Sequence, residues 1–171
     1  VIGHGNGPQV GMINNTMEYS ANSNGNTPHM PFPECGAMSQ GYIGYHLTQS
    51  IQEELRARSI NRNCATVITQ VLVDKKDQAF NNPEKPIGAF YTEEEAKKIE
   101  KTKGYTVVED SGRGYRRVVP SPKPKEIIEL GLIKDLLNQG NIVIVSGGGG
   151  IPVVKEGKEL KGVAAVIDKD R

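Results

Sequence analysis

The sequence lacks most of the features that mark specialised classes of protein. It has no tryptophan, two cysteines and three histidines, and its formal net charge is +1. Cys35 and Cys64 have neither a metal-ligand spacing nor a disulfide framework, which predicts reduced thiols in a cytoplasmic protein and no metal site. The balanced charge favours neither nucleic acid nor an acidic membrane surface as a partner. No apolar run approaches the roughly 20 residues that a membrane span needs.

Glycine, in contrast, is abundant, and its densest runs follow two predicted strands. The first is "GHGNGPQVG" (3–11), and the second is "SGGGGIPV" (146–153), directly after "NIVIV". Each glycine weakens a regular element by roughly 0.5–1 kcal/mol relative to alanine, so four in succession need another explanation. Such loops let backbone N–H groups approach an anion closely. Pro8 also suits the first position of a helix, whose N-terminus favours phosphate.

Helices and strands alternate along much of the chain. Apolar residues recur every four positions from Ile43 to Leu55 and predict a helix over 36–58, after a first helix over 8–19. A third helix is expected over 125–138, with Gly140 as its stop. Buried strands are predicted in three segments: "CATVITQVLV" (64–73), "NIVIV" (141–145) and "VAAVI" (163–167). The order predicts an α/β fold with a mostly parallel sheet sandwiched by helices.

Residues 74–120 interrupt this alternation with a charged segment. Thr92 and Glu95 predict a capping box at the start of a helix that ends near Lys101. "YTVVED" and "YRRVVP", joined by "SGRG", predict a hairpin. Its arginines are expected to pair within the hairpin: Arg113, Arg116 and Arg117 with Glu109 and Asp110. We therefore predict an inserted, projecting lid subdomain (74–120) on a lobe formed by 1–73 and 121–171.

Five strings, in this order, resemble carbamate kinases of the amino acid kinase family: "GHGNGPQVG", "KPIGAFYTEEEAK", "SGRGYRRVVPSPKP", "SGGGGIPVV" and "GVAAVIDKD". The resemblance implies reversible phosphoryl transfer between carbamoyl phosphate and ADP, giving ATP and carbamate, with Mg²⁺ accompanying the nucleotide. It also implies a two-lobed fold, a subdomain over the active site and a homodimer. Family members have an earlier strand with a glycine loop and a second lobe that binds the nucleotide. We expect an internal fragment that lacks both.

The predicted site lies where three loops follow strands, because ligands of open α/β sheets bind at the carboxyl ends of the strands. The resemblance places a phosphate-contacting lysine at Lys169, and it gives Lys85 the role of reaching from the subdomain to the substrate. Asp170 is expected to orient these lysines or to help hold Mg²⁺, and Asp168 ranks below it. Eight residues are expected to bind the substrate and its phosphate: Gly5, Asn6, Gly7, Gln9, Gly147, Gly148, Gly149 and Gly150. Considered alone, Asn6 is more simply a helix cap.

Two other interpretations stay open. A different amino acid kinase, acting on an acetylated amino acid or a nucleotide, would share the glycine loops. The proline-bounded insertion and "SGRGYRRVVPSPKP" speak against it. An anion-binding or regulatory relative would keep the fold without catalysis. An intact nucleotide lobe with its lysine would favour the kinase over that relative.

Overall fold

A computed structural model describes residues 1–168. The α-helices of this part of the chain are α1 (Gly7–Ala21), α2 (Phe32–Ala57), α3 (Glu93–Lys103) and α4 (Leu130–Asn138). Its strands are β1 (Cys64–Thr66), β2 (Gln70–Val73), β3 (Lys85–Tyr91), β4 (Thr106–Glu109), β5 (Tyr115–Val119), β6 (Pro124–Ile127), β7 (Ile142–Ile144), β8 (Ile151–Glu156) and β9 (Glu159–Gly162). No helix within 1–168 is long and apolar enough to cross a membrane.

The central strands are parallel, and antiparallel strands lie at the edges. Strand β7 pairs in parallel with β1, and Ile2 makes a parallel bridge to Ile144 on the same strand. Strand β2 pairs in parallel with β8, while β6 and β9 add antiparallel partners to β2 and β8. The α/β fold class is thus confirmed. Strands β1 and β7 end, and β2 and β8 begin, beside the glycine loop (146–150), so this junction between the strands positions the candidate site.

The segment predicted as one strand over 64–73 is divided into β1 and β2 around Thr69. Thr69 is fully buried, and its backbone N–H donates to Oε1 of Gln40 at 2.8 Å rather than to a neighbouring strand. Its hydroxyl accepts the N–H of Ser146 at 3.0 Å. These bonds replace strand pairing locally, so that β1 joins β7 and β2 joins β8.

Two further boundary predictions were wrong. The helix expected over 125–138 begins at Leu130, because Pro124–Ile127 pair with the edge of β2 and the Glu129 carboxylate accepts the N–H of Gln70 at 2.7 Å. Residues 163–167 are not a strand. The hairpin of β8 and β9 occupies the preceding residues, and the N–H of Val166 donates to the carbonyl of Pro120 at 3.0 Å. Gly140 does follow the end of α4, with the positive φ of 82° expected of a helix stop.

Strands β3, β5 and β4 form a separate antiparallel sheet that, with α3, makes up the three-stranded module (residues 85–119). The capping box of Thr92 and Glu95 at the start of α3 is confirmed, as is the hairpin between β4 and β5. The module packs against α1 and α2 through one apolar cluster: Val10, Phe32, Cys35, Ile87, Val119 and Val166. The boundaries predicted for the inserted subdomain, 74 and 120, remain a prediction.

Candidate functional site

Helix α1 begins at the site with unpaired backbone donors. The first hydrogen bond of the helix runs from the N–H of Val10 to the carbonyl of Asn6 at 2.9 Å, and Pro8 has no N–H. Neither the N–H group of Gly7 nor that of Gln9 has a hydrogen-bond acceptor within residues 1–168. The sequence alone suggested Asn6 as the cap of this helix, but its side chain makes no capping hydrogen bond. Its Nδ2 donates instead to Oγ of Ser39 at 2.8 Å. The N-terminus therefore presents free donors and the positive end of the helix dipole.

The four glycines are explained first by a backbone that passes very close to other groups. Gly148 has φ of 65°, and a Cβ at this position would overlap the side chain of Asn6. Gly149 has φ of 86°, and its Cβ would lie 2.7 Å from Ile167. Both positions thus combine a left-handed backbone with no space for a side chain. Asn6 and Ile167 approach the loop only because glycine is there.

The N–H groups of this loop are largely used inside the protein. Gly148 donates to the carbonyl of His4 at 2.8 Å, Gly149 to that of Ser146 at 2.8 Å, and Gly150 to that of Gly147 at 3.2 Å. These bonds fix the curve of the loop beside α1. Binding of phosphate by the N–H groups of residues 147–150 stays a prediction, and three of those groups would have to exchange a bond to do it.

Gln40 connects the glycine loop to Thr69, between β1 and β2, by hydrogen bonds. The sequence predictions missed it. It is 1% exposed, and its Nε2 donates to the carbonyls of Thr69 and Gly147, both at 3.1 Å. A signal was available in the sequence. Gln40 precedes Ile43 and Leu47 by three and seven residues, so it is a polar residue in register with the apolar stripe of α2.

A cavity of about 150 Å³ brings several predicted site residues together. Its lining includes five of them: Gly5, Asn6, Gly7, Lys85 and Gly148. Pro86, Ile87, Val166 and Ile167 complete the wall. A neighbouring cavity of about 420 Å³ shares Ile167 and is lined by Gly149, His4 and Asp168 among others. The predicted residues Gln9, Gly147 and Gly150 line neither, and Lys169 and Asp170 lie outside the described residues.

Lys85 stands at the start of β3 and contributes positive charge to the small cavity. Its Nζ lies 3.3 Å from Oδ2 of Asp168, and the two side chains are 36% and 30% exposed. An ion pair this exposed contributes only about 0–1 kcal/mol. Asp168, ranked low from the sequence, is thus in contact with the lysine. The pair is weak enough for an incoming anion to compete with Asp168 for Lys85.

The described part of the chain contains two buried thiols and no cluster of possible metal ligands. Among residues 1–168, no group of three histidine, cysteine, aspartate or glutamate side chains is arranged to hold a metal ion. Cys35 and Cys64 are buried free thiols, and burial raises the pKa of each. A raised pKa keeps a thiol protonated and poorly nucleophilic at neutral pH.

Comparisons with known proteins agree with this geometry. No family model matches the sequence. Carbamate kinase 3 of Staphylococcus aureus (strain USA300) is 59% identical over 171 residues, and the carbamate kinase of Staphylococcus haemolyticus is 60% identical over 171 residues. The structure of carbamate kinase from Giardia lamblia bound to AMP-PNP matches with a TM-score of 0.84 and 50% identity, over 98% of the chain and 52% of that protein.

The matches extend along the entire chain but not along the entire relatives. All 171 residues align with each staphylococcal enzyme and account for 55% of its length. The chain thus spans about half the length of the curated relatives it matches. The resemblance inferred from the five sequence strings is confirmed, and the chain corresponds over its whole length to about half of a carbamate kinase.

Proposed function

We propose that the protein formed by this chain acts in phosphoryl transfer between carbamoyl phosphate and ADP, giving ATP and carbamate, in either direction. One observation carries the proposal. Gly7, which has a free N–H group at the start of α1, and Lys85 both line one small cavity beside the glycine loop. The identity with staphylococcal carbamate kinases, 59% and 60%, supports the choice of reaction.

The chemistry of the reaction matches what this cavity offers. Phosphoryl transfer requires positioning and positive charge around the phosphoryl oxygens more than covalent participation by the protein. The N–H group of Gly7, the positive end of the α1 dipole and the charge of Lys85 supply that environment. A volume of about 150 Å³ is smaller than the 300–1,000 Å³ typical of pockets for larger ligands. We therefore assign this cavity to carbamoyl phosphate, with the nucleotide bound beyond it.

Lys85 would change partners when substrate binds. In the structure its ammonium group lies 3.3 Å from Oδ2 of Asp168. The phosphate of carbamoyl phosphate, entering between α1 and β3, would take over this contact. Lys169 and Asp170 follow Asp168 directly in sequence. We propose that Lys169 adds a second positive charge at the phosphate and that Asp170 orients it.

Mg²⁺ enters this proposal with the nucleotide. Magnesium in phosphoryl-transfer sites is usually bound through substrate phosphates and one or two carboxylates. Asp170 is the carboxylate we propose for that role, and it lies outside the described residues. We also propose a cytoplasmic location, in keeping with the two free thiols.

A homodimer is a further part of the proposal. Apolar and aromatic side chains lie exposed on one side of α2 and beside it: Met38, Tyr42, Tyr45 and Ile68. A shallow cavity of about 470 Å³ next to them is lined by Tyr45, Thr48 and Ile68 among others. Exposed patches of this kind often form interfaces. In sedimentation equilibrium the chain should have the mass of a dimer, and the Tyr45→Glu variant that of a monomer. An unmodified chain that stays monomeric at high concentration would contradict the proposed homodimer.

The direct test of the reaction uses a chimera, in which this chain replaces its matched residues in the Staphylococcus haemolyticus carbamate kinase. ATP formation from carbamoyl phosphate and ADP is measured for the chimera and for the parent enzyme. We expect ATP formation by the chimera. A folded chimera that binds carbamoyl phosphate without forming ATP would favour the anion-binding alternative. One that uses an acetylated amino acid instead would favour another amino acid kinase.

A further inference from the structure

A carboxylate on α1, Glu18, is the meeting point of three segments of the three-stranded module. Lys103 at the end of α3 and the hydroxyl of Tyr105 before β4 both donate to it. Nη1 of Arg117, on β5, lies 3.7 Å from its Oε1. The side chains of Glu18 and Arg117 are each only 13% exposed. We name these four residues the Glu18 cluster.

Arg117 was expected to pair with acidic residues of its own hairpin, but it faces the opposite way. Arg113 and Arg116 do contact Asp110, at 3.1 and 3.3 Å. Arg117 instead donates to Oδ1 of Asn14 on α1 at 2.7 Å, and its guanidinium lies 3.5 Å from the centre of the Tyr105 ring. The hairpin therefore uses one arginine to hold α1 rather than to stabilise itself.

The charges in the Glu18 cluster depend on one another. Burial acts to raise the pKa of Glu18, but the hydrogen bonds from Lys103 and Tyr105 and the charge of Arg117 outweigh it, so the pKa is lowered. Glu18 is thus ionised at neutral pH and balances cations from the module. Removing only its charge would leave Arg117 largely buried without a carboxylate, which is far more costly than losing an exposed ion pair.

The cluster also bears on where Lys85 lies. Arg117 on β5 pairs with Ile87 on β3, and Ile87 lies two residues after Lys85 on that strand. Next to this pair, Gly11 of α1 lies so close to Gly88 of β3 that a Cβ on Gly11 would overlap the backbone of Gly88. The same helix thus supplies the free donors of the site at its first turn and holds the strand that carries Lys85.

We propose that Glu18 is a positioning residue, which holds the three-stranded module against α1 so that Lys85 stays over the substrate cavity. This role rests on the proposed function. It acts at a distance from the substrate, through the contacts of Arg117, Lys103 and Tyr105 with α1. Loss of the cluster should therefore weaken the use of carbamoyl phosphate without affecting the nucleotide.

The test compares Glu18→Gln with a matched control, Glu93→Gln, in the chimera. Glu93 also pairs with a lysine, Lys97 at 2.6 Å, and lies in the same module, but its side chain is 62% exposed. Glu18→Gln should lower kcat/KM for carbamoyl phosphate by up to roughly 10²-fold, the loss expected when a remote change misplaces a reacting group by about 1 Å. KM for ADP should not change. Glu93→Gln should leave all parameters as they are.

A double variant separates positioning from a general structural role. If Glu18 acts through Lys85, Glu18→Gln should cause little further loss in a Lys85→Ala background. Multiplied losses would overturn the proposal. Tyr105→Phe, which removes one donor to Glu18 and keeps the ring under Arg117, should give a smaller loss of the same kind and serves where Glu18→Gln fails to fold.

Hydrogen exchange of the 171-residue chain gives a readout independent of activity. Glu18→Gln should speed amide exchange across residues 85–119 and leave β7 protected, while Glu93→Gln should change neither. Unchanged exchange in the module would overturn the proposal. If the chimera without substitutions forms no ATP, both the proposed function and the positioning role of Glu18 are overturned. If the chimera is active and Glu18→Gln does not change its kinetics, only the positioning role is overturned.

Discussion

Gly148→Ala tests whether the glycine loop is glycine because of its close approach to Asn6. The chain contains a well-matched control, since Gly148 and Gly104 have nearly identical backbone angles: φ 65° and ψ 21° for Gly148, φ 65° and ψ 22° for Gly104. A Cβ on Gly104 would meet nothing within 4 Å, whereas one on Gly148 would overlap the amide group of Asn6. The two substitutions differ mainly in that overlap.

The expected losses follow from these contacts. Placing an L-residue in the left-handed region costs roughly 1–2 kcal/mol, and this is the whole effect expected of Gly104→Ala. Overpacking a tight site costs a further 1–3 kcal/mol or so, which brings Gly148→Ala to about 2–5 kcal/mol. Asn6 has little freedom to yield, because it is 7% exposed and bonded to Ser39 at 2.8 Å.

The assay is urea unfolding of the 171-residue chain and both variants, followed by circular dichroism. Provided that the slope with urea is unchanged, the midpoints give the difference in free energy of unfolding. We expect Gly148→Ala to lose at least about 1 kcal/mol more than Gly104→Ala. Equal losses would refute the idea that contact with Asn6, rather than backbone angle alone, requires glycine here.

The remaining predictions concern charge. In the chimera, Lys85→Ala should weaken the use of carbamoyl phosphate and slow turnover. The exposed control Lys76→Ala should change neither. Equal effects of the two substitutions in steady-state assays would show that Lys85 is an ordinary surface charge. Lys169→Ala should lower kcat by roughly 10²–10³-fold with little change in KM for ADP, as expected when one contact to the migrating phosphoryl group is lost. A kcat equal to that of the unmodified chimera would show that Lys169 does not act in the site. The pKa of Glu18 is lowered in the folded chain, so its contribution to stability is present above the unfolded pKa of about 4.3 and is lost as the pH falls through the lower folded value. In urea unfolding at a series of pH values, the stability gap between the unmodified chain and Glu18→Gln should therefore narrow in acid; a constant gap would show that Glu18 is not held ionised as described.

The sequence allowed correct prediction where the signal is local. The apolar stripe of α2, the capping box of Thr92 and Glu95 and the hairpin of the module each depend on residues a few positions apart, and all are present. The α/β class followed from the alternation of such elements. The convergence of the glycine loops also followed, because parallel strands bring their carboxyl ends to one edge.

Predictions failed where a distant partner decides the structure. A helix was predicted over 125–138 from the apolar residues between Ile127 and Leu137, but residues 124–127 pair with the edge of β2 instead. The direction of Arg117 could not be predicted from its hairpin, because the residue that attracts it, Glu18, is on another element 99 positions earlier. Gln40 is similar, since its partners Thr69 and Gly147 come together only in the fold.

The central claim is that carbamoyl phosphate binds between the start of α1 and Lys85, and amide NMR of the 171-residue chain tests it most directly. Freshly prepared carbamoyl phosphate is titrated into the ¹⁵N-labelled chain at low temperature. The account predicts saturable shifts at Gly7, Gln9, Lys85 and Gly148, reduced in Lys85→Ala, with Gly104 unmoved. Saturable shifts confined to another region, such as the cavity beside Tyr91 and Lys103, or none at all, would contradict it.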